Sequence, residues 1–85
     1  MKGSKSPKRI EKEFKKIVKD KFISPSRCTQ LHQTRAYIFE LNKIIKDYEQ
    51  RFDYVPPAAQ VLFNDYNMRQ EKMLYDDYLR EYSNE

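Results

Sequence analysis

From Leu31 to Val55 the chain sets Leu31, Thr34, Ile38, Leu41, Ile45, Tyr48, Phe52 and Val55 at alternating steps of three and four, with no glycine or proline among them. An α-helix puts such positions on one face, and a strand does not. The periodicity therefore predicts one long central helix. Thr34 is the single polar position in its seam. Tyr37, Phe39 and Ile44 fall off the seam, so this helix carries more apolar surface than one antiparallel neighbour covers.

Prolines mark the ends. Val55-Pro56-Pro57-Ala58 stops the central helix, because proline lacks the N–H and clashes with the preceding turn; Pro57 can open the next one. The connection is short, so the following helix should fold back antiparallel. In it Leu62, Phe63, Tyr66, Met73, Leu74 and Tyr78 gather on one side, while Val61, Met68, Tyr75 and Leu79 point elsewhere. Upstream, Ser6-Pro7 and Ser24-Pro25 share one pattern, with serine as N-cap and proline as first helical residue. Ile10, Phe14, Ile17 and Val18 lie on one face of the segment between them. The expected fold is all-α: an antiparallel helical hairpin, about 25–54 and 57–82, preceded by a basic amphipathic helix, about 7–22, making three helices. Residues 1–5 read as a disordered basic tail. Residues 6–85 read as one small helical domain in which 6–23 could be a separable basic arm. Glu40 with Lys43, Asp47 with Arg51, Asp65 with Arg69 and Asp76 with Arg80 are helix-spaced pairs that support it locally.

Composition narrows the class. One glycine in 85 residues argues against turn-rich β folds and against phosphate-cradling glycine loops. Twelve Tyr and Phe rings are too many for a wholly disordered chain. Charge is unevenly spread: residues 1–21 are net +6, 22–45 net +2 and 46–85 net −4. A basic head on an acidic, tyrosine-rich tail points to an anionic partner for the head and also permits head-to-tail self-association. The lone cysteine, the charged N-terminus and the lack of any long apolar run read as an intracellular protein, in cytoplasm or nucleus, with no secretory signal and no transmembrane segment.

Three groups of residues are candidates for function. Lys8, Arg9, Lys12, Lys15, Lys16 and Lys19 put like charges at helical spacing, which weakens an isolated helix and favours an anionic neighbour. That neighbour could be an acidic protein surface or nucleic-acid phosphate; a membrane surface fits less well, since there is no Trp and the head is short. Base readout needs Arg, Asn or Gln at base edges, so contact with nucleic acid would be directed to the backbone. Tyr37, Phe39, Ile44, Met68, Tyr75, Leu79 and Tyr82 form the candidate protein-binding set, because tyrosine brings large area at low entropy cost. Ser6 and Ser24, each in a Ser-Pro-x-Arg pattern, are candidate phosphorylation sites.

Cys28 and His32, four apart, would share a helix face. They cannot complete a zinc site, which needs at least three protein ligands, and nothing obvious orients them for nucleophilic catalysis. Asp76 and Asp77 are adjacent and diverge by about 100° on a helix, so they make no catalytic pair. No cofactor, metal or small-molecule substrate is expected. The sequence reads as a non-catalytic protein–protein interaction or scaffold module of adaptor type. A nucleic-acid-binding regulator, or a structural subunit ordered within a larger assembly, are the alternatives.

Overall fold

The computed structural model describes residues 6–83, with side chains given through Glu81. The expected tail at residues 1–5 lies outside the described residues. Helix α1 spans Pro7–Lys21, α2 Leu31–Phe52 and α3 Pro57–Ser83; a single 3-10 turn, Pro25–Arg27, lies between α1 and α2. Among the described residues there is no strand. The architecture is all-α, with α2 and α3 packed as a hairpin.

Ser6 caps α1 as its sequence requires. It is extended, and its Oγ accepts from the Arg9 N–H at 3.4 Å, with Pro7 at the first position. Lys19 and Lys21 fill the last turn, where the helix dipole favours cations. Phe22 then turns extended and ends the helix.

The second helix departs from expectation. It begins at Leu31, not at Pro25. Ser24-Pro25 starts only the 3-10 turn, and Cys28 leaves it extended. Two contacts from α3 hold this linker open. The Tyr66 hydroxyl donates to the Ile23 carbonyl. The Arg69 guanidinium donates through Nε at 3.1 Å and Nη2 at 2.7 Å to the Cys28 carbonyl. A carbonyl drawn towards α3 in this way is not available to an α-helix running from Pro25. The Gln33 side chain accepts from the N–H of Thr29, the residue before the Gln30 cap, at 3.3 Å, and α2 starts at Leu31. At its other end α2 stops at Phe52, because Asp53 adopts the left-handed conformation at φ 53°.

The core is small and aromatic. Ile10, Phe14, Phe22, Cys28, Leu41, Tyr48, Ala59 and Tyr66 are its buried apolar residues. Phe14 meets Tyr48 edge-on at 6.2 Å near the turn, and Tyr54 donates to Glu11 at 2.9 Å. At the far end Phe22 meets Tyr37 at 5.5 Å, and Tyr37 stacks on Tyr66 at 5.6 Å. These contacts make α1 run antiparallel to α2 and lie across the hairpin. Thr34 is fully buried; its hydroxyl donates to the Gln30 carbonyl at 3.0 Å and contacts the Met73 sulfur at 3.4 Å. A polar seam position is tolerated because both partners are supplied.

Tyr48 is the exception. Its hydroxyl is buried and has no hydrogen-bond partner among the described residues. Burying an unpaired hydroxyl costs about 1–3 kcal/mol. Tyr48→Phe is therefore expected to leave stability unchanged or raise it by about 1 kcal/mol, as read from urea denaturation. A loss of stability would show that the hydroxyl has a partner in solution.

Candidate interaction surfaces

α1 gathers its cations on one side because Ile10 and Phe14 anchor the other. Lys8, Arg9, Lys12, Lys15, Lys16 and Lys19 are all exposed; Lys21, in the last turn, is exposed too but lies on the side of Ile10 and Phe14. From Lys8 to Lys19 they run about 16 Å along the helix. Arg9, Lys12 and Lys16 line a shallow concavity together with Glu13. The geometry presents ammonium groups on flexible stems. It supplies attraction to anions, and of the six named cations only Arg9 carries a planar fork capable of bidentate contact.

The predicted protein-binding residues divide. Tyr37 and Ile44 are half-buried against the core, so only part of the flank they were expected to offer stays exposed. Phe39 is 63% exposed, with the Lys43 ammonium 5.6 Å above its ring. Met68, Tyr75 and Leu79 are exposed on α3. Tyr82 lies outside the described side chains.

The structure adds residues to the α3 set. Val61, Met68 and Tyr75, at seven-residue steps, are 59%, 67% and 61% exposed. Leu74 and Tyr78, expected on the packed side, are exposed as well. The cause is length. α2 begins at Leu31, and Thr34 already sits against Met73. Beyond Met73, α3 therefore has little of α2 left opposite it. A helix of 27 residues spans about 40 Å and one of 22 about 33 Å. The chain is elongated, 60 × 20 × 16 Å. Val61 was visible in the sequence as an off-seam residue; the exposure of Leu74 and Tyr78 was not, since periodicity carries no information on where the facing helix stops.

The expected ion pairs are partly realised. Asp47 pairs with Arg51 at 3.0 Å and Glu40 with Lys43 at 3.9 Å. Arg80 pairs with Asp77 at 3.8 Å. Arg69, expected with Asp65, holds the Cys28 carbonyl. All three pairs are exposed and contribute little to stability.

Cys28 and His32 do not share a helix face, because Cys28 lies in the linker ahead of α2. Cys28 is a free, fully buried thiol and His32 is exposed. Among the described residues no group of three or more His, Cys, Asp or Glu side chains is placed to hold a metal ion, and no helix is long and apolar enough to cross a membrane. Of the two serine motifs, Ser6 serves as the α1 cap, whereas Ser24 is exposed in the linker with its Oγ 3.1 Å from that of Ser26. Comparison with protein-family models, with curated proteins and with solved structures finds no match.

Proposed function

We propose that this chain is a non-catalytic, intracellular interaction module that docks on a protein partner through the outer face of α3. The observation that supports this reading is the exposed apolar run Val61, Met68, Tyr75 and Leu79, widened at its end by Leu74 and Tyr78. Exposed apolar residues grouped in this way are characteristic of interaction sites. Tyr75 and Tyr78 are suited to such a role, since a large ring binds with little loss of side-chain freedom. In this reading the lysine face of α1 adds a second, electrostatic contact with an anionic part of the same assembly.

The second reading is backbone-directed nucleic-acid binding by α1, favoured by its exposed cations. One experiment separates the two. Tagged chain is used to capture partners from extract of its native host, with and without nuclease. The variants are Met68→Asp/Leu79→Asp and Lys12→Gln/Lys15→Gln/Lys16→Gln. All five positions are exposed, so both variants should keep the wild-type melting temperature. A protein that survives nuclease and the lysine changes, but whose recovery falls at least tenfold with the α3 changes, supports the first reading. Recovery that depends on nucleic acid and on the lysines, with a steep salt dependence, overturns it.

A further inference from the structure

We infer that Ser24 is a phosphorylation site whose phosphate would be received by Arg69 and Lys72 on α3, tightening the linker against the bundle. The inference stands apart from the partner reading above, since it needs no partner surface.

Sequence and geometry coincide at this serine. Ser24 is followed by Pro25, and Arg27 stands three residues on, a pattern suited to proline-directed kinases. Ser24 is exposed, with an extended backbone at φ −58° and ψ 138°. Among the described residues its hydroxyl contacts the equally exposed Ser26 Oγ. Ser26 has no proline after it. Ser6 has the same pattern as Ser24, but its Oγ already accepts the Arg9 N–H at the start of α1.

What distinguishes Ser24 is the opposite wall. Ser24 and Ser26 share an open concavity with Asp65, Met68, Arg69 and Lys72 of α3. The two cations outnumber the single carboxylate there. A phosphoserine brings a charge of about −1.5 to −2 and three acceptor oxygens. Arg69 spends two N–H groups on the Cys28 carbonyl. A guanidinium has about five, so it could hold the phosphate without releasing the linker. Lys72 adds a flexible ammonium that can turn towards it. The linker is already fastened to α3 through Ile23 and Cys28, and the phosphate would add a third fastening between them. The chemistry is ordinary phosphoryl transfer. The Ser24 Oγ attacks the terminal phosphorus of a nucleoside triphosphate, the Oγ–P bond forms, the bond to the diphosphate breaks, and the hydroxyl proton passes to the kinase's base.

The test has two arms, both on the full chain. In the first, folded protein is treated with a proline-directed serine/threonine kinase and ATP, and the modified residue is mapped by mass spectrometry. Phosphate at Ser24, and its loss from that peptide in Ser24→Ala, is expected; incorporation confined to Ser6, or none, overturns the proposal. In the second, phosphoserine is incorporated genetically at position 24 and thermal unfolding is followed by circular dichroism. The melting temperature should rise by about 4 °C. The rise should shrink in high salt and be reduced, without vanishing, in Lys72→Gln, since Arg69 still receives the phosphate. An unchanged or lowered melting temperature, or a rise indifferent to Lys72, overturns it.

Discussion

Phe14→Ala is expected to lower the unfolding free energy by about 3–5 kcal/mol, the range for deleting a buried phenylalanine. Phe14 is only 2% exposed and, with Ile10, anchors α1 in the core. Its ring lies edge-on to Tyr48 at 6.2 Å, a geometry that adds about 0.5–1.5 kcal/mol to the area it buries. The rest of α1 offers little to compensate. Ile10 is the other buried residue of the helix, and Ile17 and Val18 are half-buried. The exposed face is a row of lysines that repel one another. Proteins are stable by roughly 0.05–0.15 kcal/mol per residue, so a chain of this length holds about 4–13 kcal/mol in total. The substitution would therefore remove a large part of that stability. Urea denaturation followed by far-UV circular dichroism should show a lower midpoint at an unchanged slope, because α1 and the hairpin share one core. The exposed control Lys16→Ala should stay within about 0.5 kcal/mol of wild type. A loss below about 1 kcal/mol for Phe14→Ala would mean that α1 does not depend on this contact.

The helices that the sequence announces most clearly are those whose signals are local. Ser6-Pro7 starts α1 and Pro56-Pro57 separates α2 from α3, because capping and the missing proline N–H act over a few residues. The seam from Leu31 places Thr34, Leu41 and Tyr48 inward, as found. The start of α2 was misplaced because the same serine–proline pair does different work at residue 24. There the outcome is decided by Tyr66 and Arg69, which lie more than forty residues downstream and bind the Ile23 and Cys28 carbonyls. No local pattern reports a hydrogen bond formed across that distance. The α3 surface was half legible for a similar reason. Val61, Met68, Tyr75 and Leu79 stood off the seam in the sequence, but the exposure of Leu74 and Tyr78 follows from where α2 begins, which is itself a tertiary outcome. Tyr37 went the other way. It was expected to be surplus apolar surface, and it became the ring between Phe22 and Tyr66.

That aromatic junction leads to the second large effect, on stability at alkaline pH. Tyr66 is fully buried, and its hydroxyl donates to the Ile23 carbonyl. Burial, then the neighbouring Cys28 and Tyr37, push its ionisation well above the ordinary value of 10.0. A phenolate at this position would be desolvated and could no longer donate. The folded chain therefore keeps the Tyr66 proton at pH values where the unfolded chain releases it. The unfolded state then binds fewer protons than the folded one, so stability falls as pH rises. The contribution of Tyr66 is intact below about pH 10 and declines above it, by about 1.4 kcal/mol per pH unit for one proton. Tyr48 is shifted in the same direction, by burial first and then by the Glu13 carboxylate, partly opposed by Arg51, with Asp47 adding least. The wild type should therefore lose stability between pH 10 and pH 11 more steeply than one proton allows. Tyr48→Phe and Tyr66→Phe should each reduce that slope. The two differ at neutral pH: Tyr66→Phe leaves the Ile23 carbonyl without its donor and should cost about 1–2 kcal/mol, while Tyr48→Phe removes only an unpaired hydroxyl. Urea denaturation of the three proteins at neutral pH, pH 10 and pH 11 measures both quantities. If Tyr66→Phe keeps the wild-type alkaline slope, the Tyr66 proton is not held by the fold, and its bond to Ile23 is not what fastens the linker to α3.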